Sequence, residues 1–337
     1  MSLHGARLSS AIAALLASFA TLALAPTPAA IAGEESAGTR VSSFLAVGTG
    51  PAVVGRGGAT FAIGSDLQSA SLNPAALGGI EAGRFSFAHA TLEGGTSHEW
   101  AAYGGRLLGG PIRYGVSGVL HDEGTIDGRD EFNQPTSVAE ARSWALSFQL
   151  ARPIASWLAV GGAARWVGER IGESGGDGLA FDAGAQARTG PVSFGLAAQN
   201  FGGGMNWGGQ RWRMPASFGG GVAIEHAASG LRLVMDLAAP ADYYRSARLG
   251  AEWRWQDRFA LRGGYRREIG APAEDRLNGP AFGLGAGVGP MWVDYGFLSP
   301  QGGEAQHRIG LDLRRLGSAA SPGAAEAAGS EPETAGK

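Results

Sequence analysis

The sequence lacks three things that would define other kinds of protein. It contains no cysteine, so no disulfide holds it together. After the first 32 residues there is no apolar run of about eighteen residues, which excludes a helical membrane protein. The formal net charge is −3, which argues against a nucleic-acid partner. The chain must therefore be stabilised by packing and hydrogen bonding.

The N-terminus has the order of regions typical of a secretory signal. Arg7 precedes an apolar run over residues 11–25, and Ala30-Ile31-Ala32 offers a small–x–small cleavage site. The apolar run is too short to cross a bilayer as a helix. We expect residues 1–32 to be a cleaved signal peptide; an ordinary N-terminal helix is the alternative.

Glycine is abundant where these other features are missing. The chain has 58 glycines in 337 residues, more than twice the usual share of about 7%. Glycine disfavours helix by about 1 kcal/mol relative to alanine. Hydrophobic residues make up 44% of the chain, too many for disorder. This composition favours glycine-rich β-structure.

Alternating apolar and polar residues predict the strands. In Ala247–Trp255 one face carries Ala, Leu, Ala, Trp and Trp, and the other carries Arg, Gly, Glu and Arg. A period of two is typical of a strand with one apolar and one polar side. Fourteen such segments follow one another: 84–91, 97–106, 112–121, 142–151, 157–167, 178–188, 192–200, 215–225, 231–238, 246–255, 259–266, 280–288, 291–298 and 305–315.

The connections between these segments sort by length. They are short at 107–111, 152–156, 189–191, 226–230, 256–258 and 289–290, and long and polar at 121–141, 168–177, 201–214 and 268–279. Outer-membrane barrels have an even strand number, short periplasmic turns and long external loops. We therefore predict a monomeric, all-β, 14-stranded antiparallel transmembrane β-barrel over 84–316, in contact with outer-membrane lipid. A secreted β-sandwich or propeller is the alternative.

Aromatic residues and the chain ends complete this prediction. Near strand ends, an interfacial girdle is expected from Trp100, Trp144, Trp253, Trp255 and Trp292. The tail over 317–337 consists mainly of Ala, Gly, Ser, Pro and Glu, and is expected to be a disordered periplasmic extension. The N-terminal segment over 33–83 precedes the barrel; within it residues 41–80 do not alternate, and one helical turn is expected around 66–72.

That non-alternating segment carries a resemblance to a known family. Gly55-Arg56-Gly57-Gly58-Ala59-Thr60-Phe61, then Asp66, Ala70 and Asn73-Pro74-Ala75-Ala76-Leu77, resemble the leader of the PorV/PorQ family, within the FadL-like superfamily of outer-membrane transporters. The resemblance implies a fourteen-stranded barrel whose N-terminal segment folds into the lumen as a hatch. The candidate hatch motif is Gly55, Gly57, Gly58, Ala59, Asn73, Pro74 and Ala75.

Charged residues fall on the polar side of the strands. An arginine on the lipid side near the membrane midplane costs about 2–4 kcal/mol, so these residues are expected to face the lumen. The candidates are Arg113, Arg165, Asp182, Arg188, Arg232, Asp236, Arg248, Glu252, Arg254, Arg262, Asp294, Arg308 and Asp312. They could form a salt-bridged network that stiffens the barrel, or line a path for a ligand.

No motif in the chain predicts catalysis, a metal or a cofactor. Gly172-Glu173-Ser174-Gly175-Gly176 fits a serine-hydrolase pattern, but lacks the strand and helix that an esterase needs around it. The acidic stretch within 121–141 does not have the spacing of a calcium loop. We interpret the first as a hairpin connection and the second as a solvated acidic loop, and we do not expect an enzyme.

Two functions remain open. Resemblance to PorV implies a role in type IX secretion, with external loops binding secreted cargo; the contact candidates are Trp207 and Trp212, since tryptophan is a favoured interface anchor. Resemblance to FadL implies uptake of a hydrophobic small molecule, such as a fatty acid or hydrocarbon, past the hatch. A structural barrel without a ligand is a third alternative. The leader favours the secretion role slightly.

Overall fold

The computed structural model of the protein describes residues 40–272 and 277–316. The predicted signal peptide and tail lie outside these residues. The described strands are β1 Gly83–Thr91, β2 Ser97–Arg106, β3 Arg113–Arg129, β4 Pro135–Ala155, β5 Leu158–Ile171, β6 Ser174–Thr189, β7 Val192–Trp207, β8 Gln210–Arg213, β9 Ser217–His226, β10 Leu231–Pro240, β11 Arg245–Trp255, β12 Phe259–Ile269, β13 Gly279–Val288, β14 Met291–Leu298 and β15 Gln306–Leu316.

The strands form one closed antiparallel barrel. Each wall strand pairs with its neighbours along the chain, and β1 pairs with β15 to complete the circle. Strand β8 pairs only with β7 and belongs to an arm above the wall, while β7 pairs with β9 below it. Without β8, fourteen wall strands remain, so the predicted fourteen-stranded barrel is confirmed.

The two ends of the barrel differ. At one end, called here the turn end, both termini of the wall meet at Gly83 and Leu316, and tight turns such as Gly289-Pro290 join the strands. At the other, the hairpin end, several strand pairs continue far beyond the wall. Strands β3 and β4 stay paired up to Arg129 opposite Pro135.

Three of the predicted long loops are wrong for this reason. The regions 121–141, 168–177 and 201–214 are mostly paired strand, and β5 and β6 are joined by only Gly172 and Glu173. Beyond the wall both faces of a hairpin are exposed, so the apolar alternation ends while the backbone pairing continues. The predicted loop at 268–279 does leave a connection between β12 and β13.

Side chains alternate between lumen and outer surface as predicted, but two girdle tryptophans lie inside. In β11, Gly250 and Glu252 are buried while Leu249 and Trp253 are exposed. Trp100 and Trp292 are buried at 1% and 2% exposure. The prediction that these two side chains lie in the interfacial girdle is wrong. Trp292 is two residues before Asp294 in β14, so both side chains lie on the same, inward face of the strand.

The N-terminal segment over residues 40–82 lies inside the barrel. It contains short helices at Pro51–Gly55 and Leu67–Ala70 and 3-10 turns at Ser43–Ala46 and Pro74–Gly79. The first helix contacts β12 to β15 and the turn at Pro74–Gly79 contacts β3 to β6, so the segment spans the lumen. Two further 3-10 turns, Glu93–Gly95 and Leu107–Gly109, lie in connections. Within 40–272 and 277–316, no helix is both long and apolar enough to cross a membrane.

Glycines of the wall allow this segment to approach. A side chain at Gly161 would come within 2.6 Å of the Pro74 carbonyl carbon, and one at Gly296 within 2.6 Å of the Pro51 carbonyl oxygen. Similar close approaches occur at Gly184, Gly195, Gly250, Gly264, Gly283 and Gly310. Part of the unusual glycine content therefore lets two backbones meet without side chains between them.

Candidate functional site

The glycines of the hatch motif lie where the inner segment touches β11, β12 and β13. Gly57 has a φ of +67°, and a side chain there would come within 2.7 Å of the Tyr265 backbone nitrogen. Gly55 lies against Gly283 in the same way, and Gly58 has a φ of +84°. Ala59, which follows, is fully buried. Gly57 therefore needs both the absence of a side chain and a left-handed backbone, whereas Gly55 needs only the first and Gly58 the second.

Asn73 joins the second half of the hatch to itself and to the wall. Its Oδ1 accepts a hydrogen bond from the Ala75 backbone nitrogen (3.2 Å) and so caps the turn Pro74–Gly79. Its Nδ2 donates to the carbonyl oxygens of Phe61 (2.8 Å) and Ala185 of β6 (3.4 Å). Pro74 and Ala75 are buried directly against Gly161.

Asp66 is the cap of the predicted helical turn, which the structure places at Leu67–Ala70. Its carboxylate accepts hydrogen bonds from the backbone nitrogens of Gln68 and Ser69. Burial by itself would raise the pKa of Asp66, but the Arg56 guanidinium and the Ser69 hydroxyl hold that pKa below its ordinary value. The hatch therefore contains a carboxylate that is charged at neutral pH.

A buried ionic network ties the hatch to the wall, with Glu252 of β11 at its centre. Arg56 of the hatch contacts Glu252 at 2.9 Å, and Arg262 contacts it at 2.6 Å. Arg232 and Arg254 reach its other oxygen at 3.1 and 3.4 Å. Only a shared counter-charge makes several buried guanidinium groups tolerable in a low-dielectric interior.

The other predicted lumen charges also lie on the inner face of the wall, although Arg188 at the turn end is 62% exposed. Arg262 extends the network to Asp294 (2.7 Å), and Arg165 pairs with Asp182 (2.7 Å). Asp236 accepts hydrogen bonds from the backbone nitrogens of Thr60 and Phe61 in the hatch. Three of the remaining predicted lumen charges donate hydrogen bonds to carbonyl oxygens of the hatch: Arg113, Arg248 and Arg308. Arg188 donates to the Gly190 carbonyl oxygen, and Asp312 pairs with Arg314.

An apolar cluster fills the lumen near the hairpin end. We call it the hairpin-end cluster; its buried members are Phe44, Leu45, Ala145, Val167, Ala180, Met205 and Met214. Phe44 and Leu45 belong to the hatch, and the others belong to strands β4 to β7 and to the segment before β9. The prediction of a polar, charged lumen therefore holds for only part of the lumen.

A pair of histidines borders this cluster. The Nδ1 atoms of His98 and His121 lie 3.1 Å apart, and both rings are buried. Phe44 stacks on His121 with ring centres 5.8 Å apart.

Burial raises the pKa of Asp242, which lies between β10 and β11, although the positive charge of Arg40 acts to lower that pKa. The described residues include no group of three or more acidic, histidine or cysteine side chains that could hold a metal ion.

The proposed loop contacts lie on the arm formed by β7 and β8. Trp207 is half-buried and packs against the hairpin-end cluster, whereas Trp212 is 42% exposed. In the acidic hairpin of β3 and β4, Asp122 and Glu140 both pair with Arg142, at 3.0 and 3.3 Å. Asp130 accepts hydrogen bonds from the backbone nitrogens of Phe132 and Gln134 in the turn.

Sequence reasoning missed several residues that hold the site together. Arg56 was noted only within the resemblance, although a charge in a glycine-rich apolar stretch signals a buried partner. Gln186 lies two residues before Arg188, on the same face of β6, and the alternation could have identified it. His98 and His121 had no signal, since their pairing depends on the register of β2 and β3.

The comparisons with known proteins agree with this architecture. No protein-family model and no curated protein sequence matches the chain. Several solved structures, in contrast, match its fold. The Ralstonia pickettii toluene transporter TbuX superposes with a TM-score of 0.58 at 16% identity, over 80% of this chain and 99% of that one. The Pseudomonas putida toluene transporter TodX gives 0.57 at 12% identity, over 79% and 97%.

A third solved structure is a Pseudomonas aeruginosa FadL homologue, with a TM-score of 0.55 at 10% identity over 80% of this chain and 98% of that one. At such low identity the likeness concerns the fold alone. The chain shares the fold of these structures, a closed fourteen-stranded barrel, and its own N-terminal segment lies inside that barrel.

Proposed function

We propose that this protein passes a hydrophobic small molecule, such as a hydrocarbon or fatty acid, across the bacterial outer membrane. The observation that carries the proposal is the hairpin-end cluster. Barrels that conduct polar solutes have a polar, water-filled interior. Here the inner wall is apolar near the hairpin end, and the hatch supplies Phe44 and Leu45 to cover it.

The composition of the cluster suits a ligand of variable shape. Met205 and Met214 are flexible and polarizable, and so can repack around different apolar molecules. Because Phe44 and Leu45 occupy this space, a ligand that enters must displace them. The toluene transporters among the structural neighbours give the proposal independent support.

The proposal includes an orientation. Residues 1–32 would direct export and be removed, 33–83 would form the hatch, 84–316 the barrel and 317–337 a periplasmic tail. The hairpin end would face outward and the turn end the periplasm. Outward-facing apolar residues such as Leu146, Phe148 and Leu150 would contact outer-membrane lipid. Trp144 would lie above them, in contact with Trp166, which pairs with Leu146.

Binding of toluene and of a fatty acid to the purified protein in detergent tests the proposal. Val167→Thr places a hydroxyl in the hairpin-end cluster, and Val160→Thr places one on the outer face of the same strand. A ligand filling the cluster would leave the inner hydroxyl without a partner, which costs about 1–3 kcal/mol. We expect affinity to fall about tenfold, roughly 1.4 kcal/mol, for the first variant only.

Uptake by cells that produce the protein completes the test. Accumulation of the labelled compound should exceed that of cells without the protein, and Val167→Thr should reduce it. If neither toluene nor a fatty acid binds the wild-type protein, or if the two variants bind equally weakly, the proposal is wrong.

A further inference from the structure

The lumen has a second chamber, at the turn end. It has a volume of about 240 Å³ and lies between the hatch and the wall. The hatch contributes two pieces, residues 62–65 and the turn Pro74–Gly79, and the wall contributes the turn-end parts of β4 to β7, β9 and β10. It is at the opposite end of the barrel from the hairpin-end cluster.

The chamber is built from fixed parts. Gln186 of β6 donates hydrogen bonds to the carbonyl oxygens of Phe61 (2.8 Å) and Ile63 (3.0 Å), which hold the first hatch piece at the rim. The Ser65 backbone nitrogen donates to the Ala76 carbonyl oxygen (2.8 Å), which joins the two pieces. These contacts maintain the space without a ligand.

Its lining combines an apolar wall with a charged rim. Ile63, Leu158 and Ala159 are among the apolar lining residues. At the rim, Glu225 lies 3.1 Å from Arg232 but 3.8 Å from Arg188, and the Arg188 side chain is 62% exposed. Arg188 is therefore weakly neutralised and available to an anion.

Size and charge together define what the chamber can take. A closed apolar cavity of about 150 Å³ is known to hold a benzene molecule. The chamber is larger, so a single ring with one small substituent fits within it. A carboxylate on that ring would reach Arg188, since guanidinium groups bind carboxylates with geometric specificity.

We infer that the turn-end chamber is a second binding site, for a small single-ring carboxylate, and that it is the last site occupied before release into the periplasm. The release step rests on the proposed function, whereas binding does not. The hatch then separates two sites: an apolar one on the outside and an amphiphilic one on the inside.

Cysteine labelling tests the binding, because the natural chain has no cysteine. Ser193 lines the chamber, and Val192 next to it belongs to the outer face opposite Ile224. Ser193→Cys and Val192→Cys are labelled with a maleimide in the presence and absence of benzoate. We expect benzoate to slow labelling of the first variant at least fivefold and to leave the second unchanged.

Arg188→Gln in the Ser193→Cys background should remove this protection, and toluene should protect less than benzoate. Because Arg188 is exposed, its replacement should not affect folding; heat-modified migration on a gel checks this. Equal labelling rates with and without benzoate would overturn the inference. Protection that survives Arg188→Gln would overturn the role given to the rim.

Release is tested by filling the chamber. Ser193→Trp should abolish uptake of benzoate while toluene still binds at the hairpin-end cluster. Val192→Trp is the matched control, and we expect it to leave benzoate uptake normal. Normal uptake through Ser193→Trp would refute release through the chamber. Absence of toluene binding and uptake in the wild-type protein would refute the proposed function instead, and the labelling result would still decide the binding site.

Discussion

Glu252 shows at the scale of one residue how the lumen tolerates its charges. It is 2% exposed and accepts contacts from arginines of the hatch and of three strands. Replacing both partners of a buried ion pair by apolar residues can leave stability nearly unchanged, whereas removing one partner leaves the charge of the other buried and unpaired. The carboxylate therefore matters more than any one of its partners.

Glu252→Gln is expected to destabilise the protein by about 3–5 kcal/mol, because Arg56 would keep a buried charge without its counter-ion and Arg262 would be left with Asp294 alone. Urea unfolding in detergent, followed by tryptophan fluorescence, measures the change. Arg142→Gln on the exposed hairpin removes a surface partner of Asp122 and should alter stability little. Similar midpoints for the two variants would show that the network does not stabilise the fold.

Two adjacent glycines of β12 allow a sharper test of contact between hatch and wall. A side chain on Gly264 would overlap the backbone of Arg56 and Gly57, whereas one on Gly263, on the lipid face, would meet nothing within 4 Å. We expect Gly264→Ala to cost about 1–3 kcal/mol through displacement of the hatch. Gly263→Ala should be neutral or slightly stabilising. Thermal unfolding of both proteins decides between them, and equal melting temperatures would contradict the packing described.

At the scale of elements, the wall was predictable and the hatch was not. Period two identifies the strands and their faces, so it also places Glu252 and Arg262 on the lumen side. It says nothing about how far a hairpin continues into water, which explains the misjudged regions 121–141 and 168–177. The course of the hatch has no period at all, and its turns were visible only at Asp66 and Asn73.

The register of the wall was equally out of reach. Opposite the stretch of β6 between Leu179 and Ala183, strand β7 contains two extra residues. After Gln199, β7 no longer pairs with β9 and forms the arm with β8. Such bulges depend on tertiary packing rather than on a local pattern. The same limit applies to the His98–His121 pair and to the turn-end chamber, which needs the hatch and six strands together.

Asn73 is the residue through which one hatch element can be loosened selectively. Asn73→Ala removes the cap of Pro74–Gly79 and both bonds to carbonyl oxygens. Loss of a cap costs about 0.5–2 kcal/mol. Hydrogen exchange should therefore accelerate several-fold in residues 74–79, while exchange in β11 and β12 stays the same. Uniform acceleration in hatch and wall would mean that the two unfold as one unit.

At the scale of the whole molecule, the barrel is a wall whose interior is occupied by its own N-terminal segment. Hatch and wall share an ionic centre, a set of glycine contacts and two apolar or amphiphilic spaces, one at each end. We expect a solute to pass only when some of these contacts break. The hairpin-end cluster contains no ion pair, and only long hydrogen bonds, such as that from Arg40 to the Met214 carbonyl oxygen (3.3 Å), join the hatch to it. We therefore expect it to be the easiest part to open for an apolar ligand.

Removal of residues 40–80 tests whether the hatch is what closes the lumen. The wall pairs its own strands through β1–β15, so the barrel should still form, with a circular dichroism spectrum dominated by strand. Exposed lumen charges such as Glu252 and Arg262 would then contact water. In a planar bilayer we expect stable ion-conducting steps from the truncated protein and almost none from the intact one. Conductance of the intact protein at the same level would show that an open path already exists beside the hatch, and transport would then need no displacement of Phe44 and Leu45.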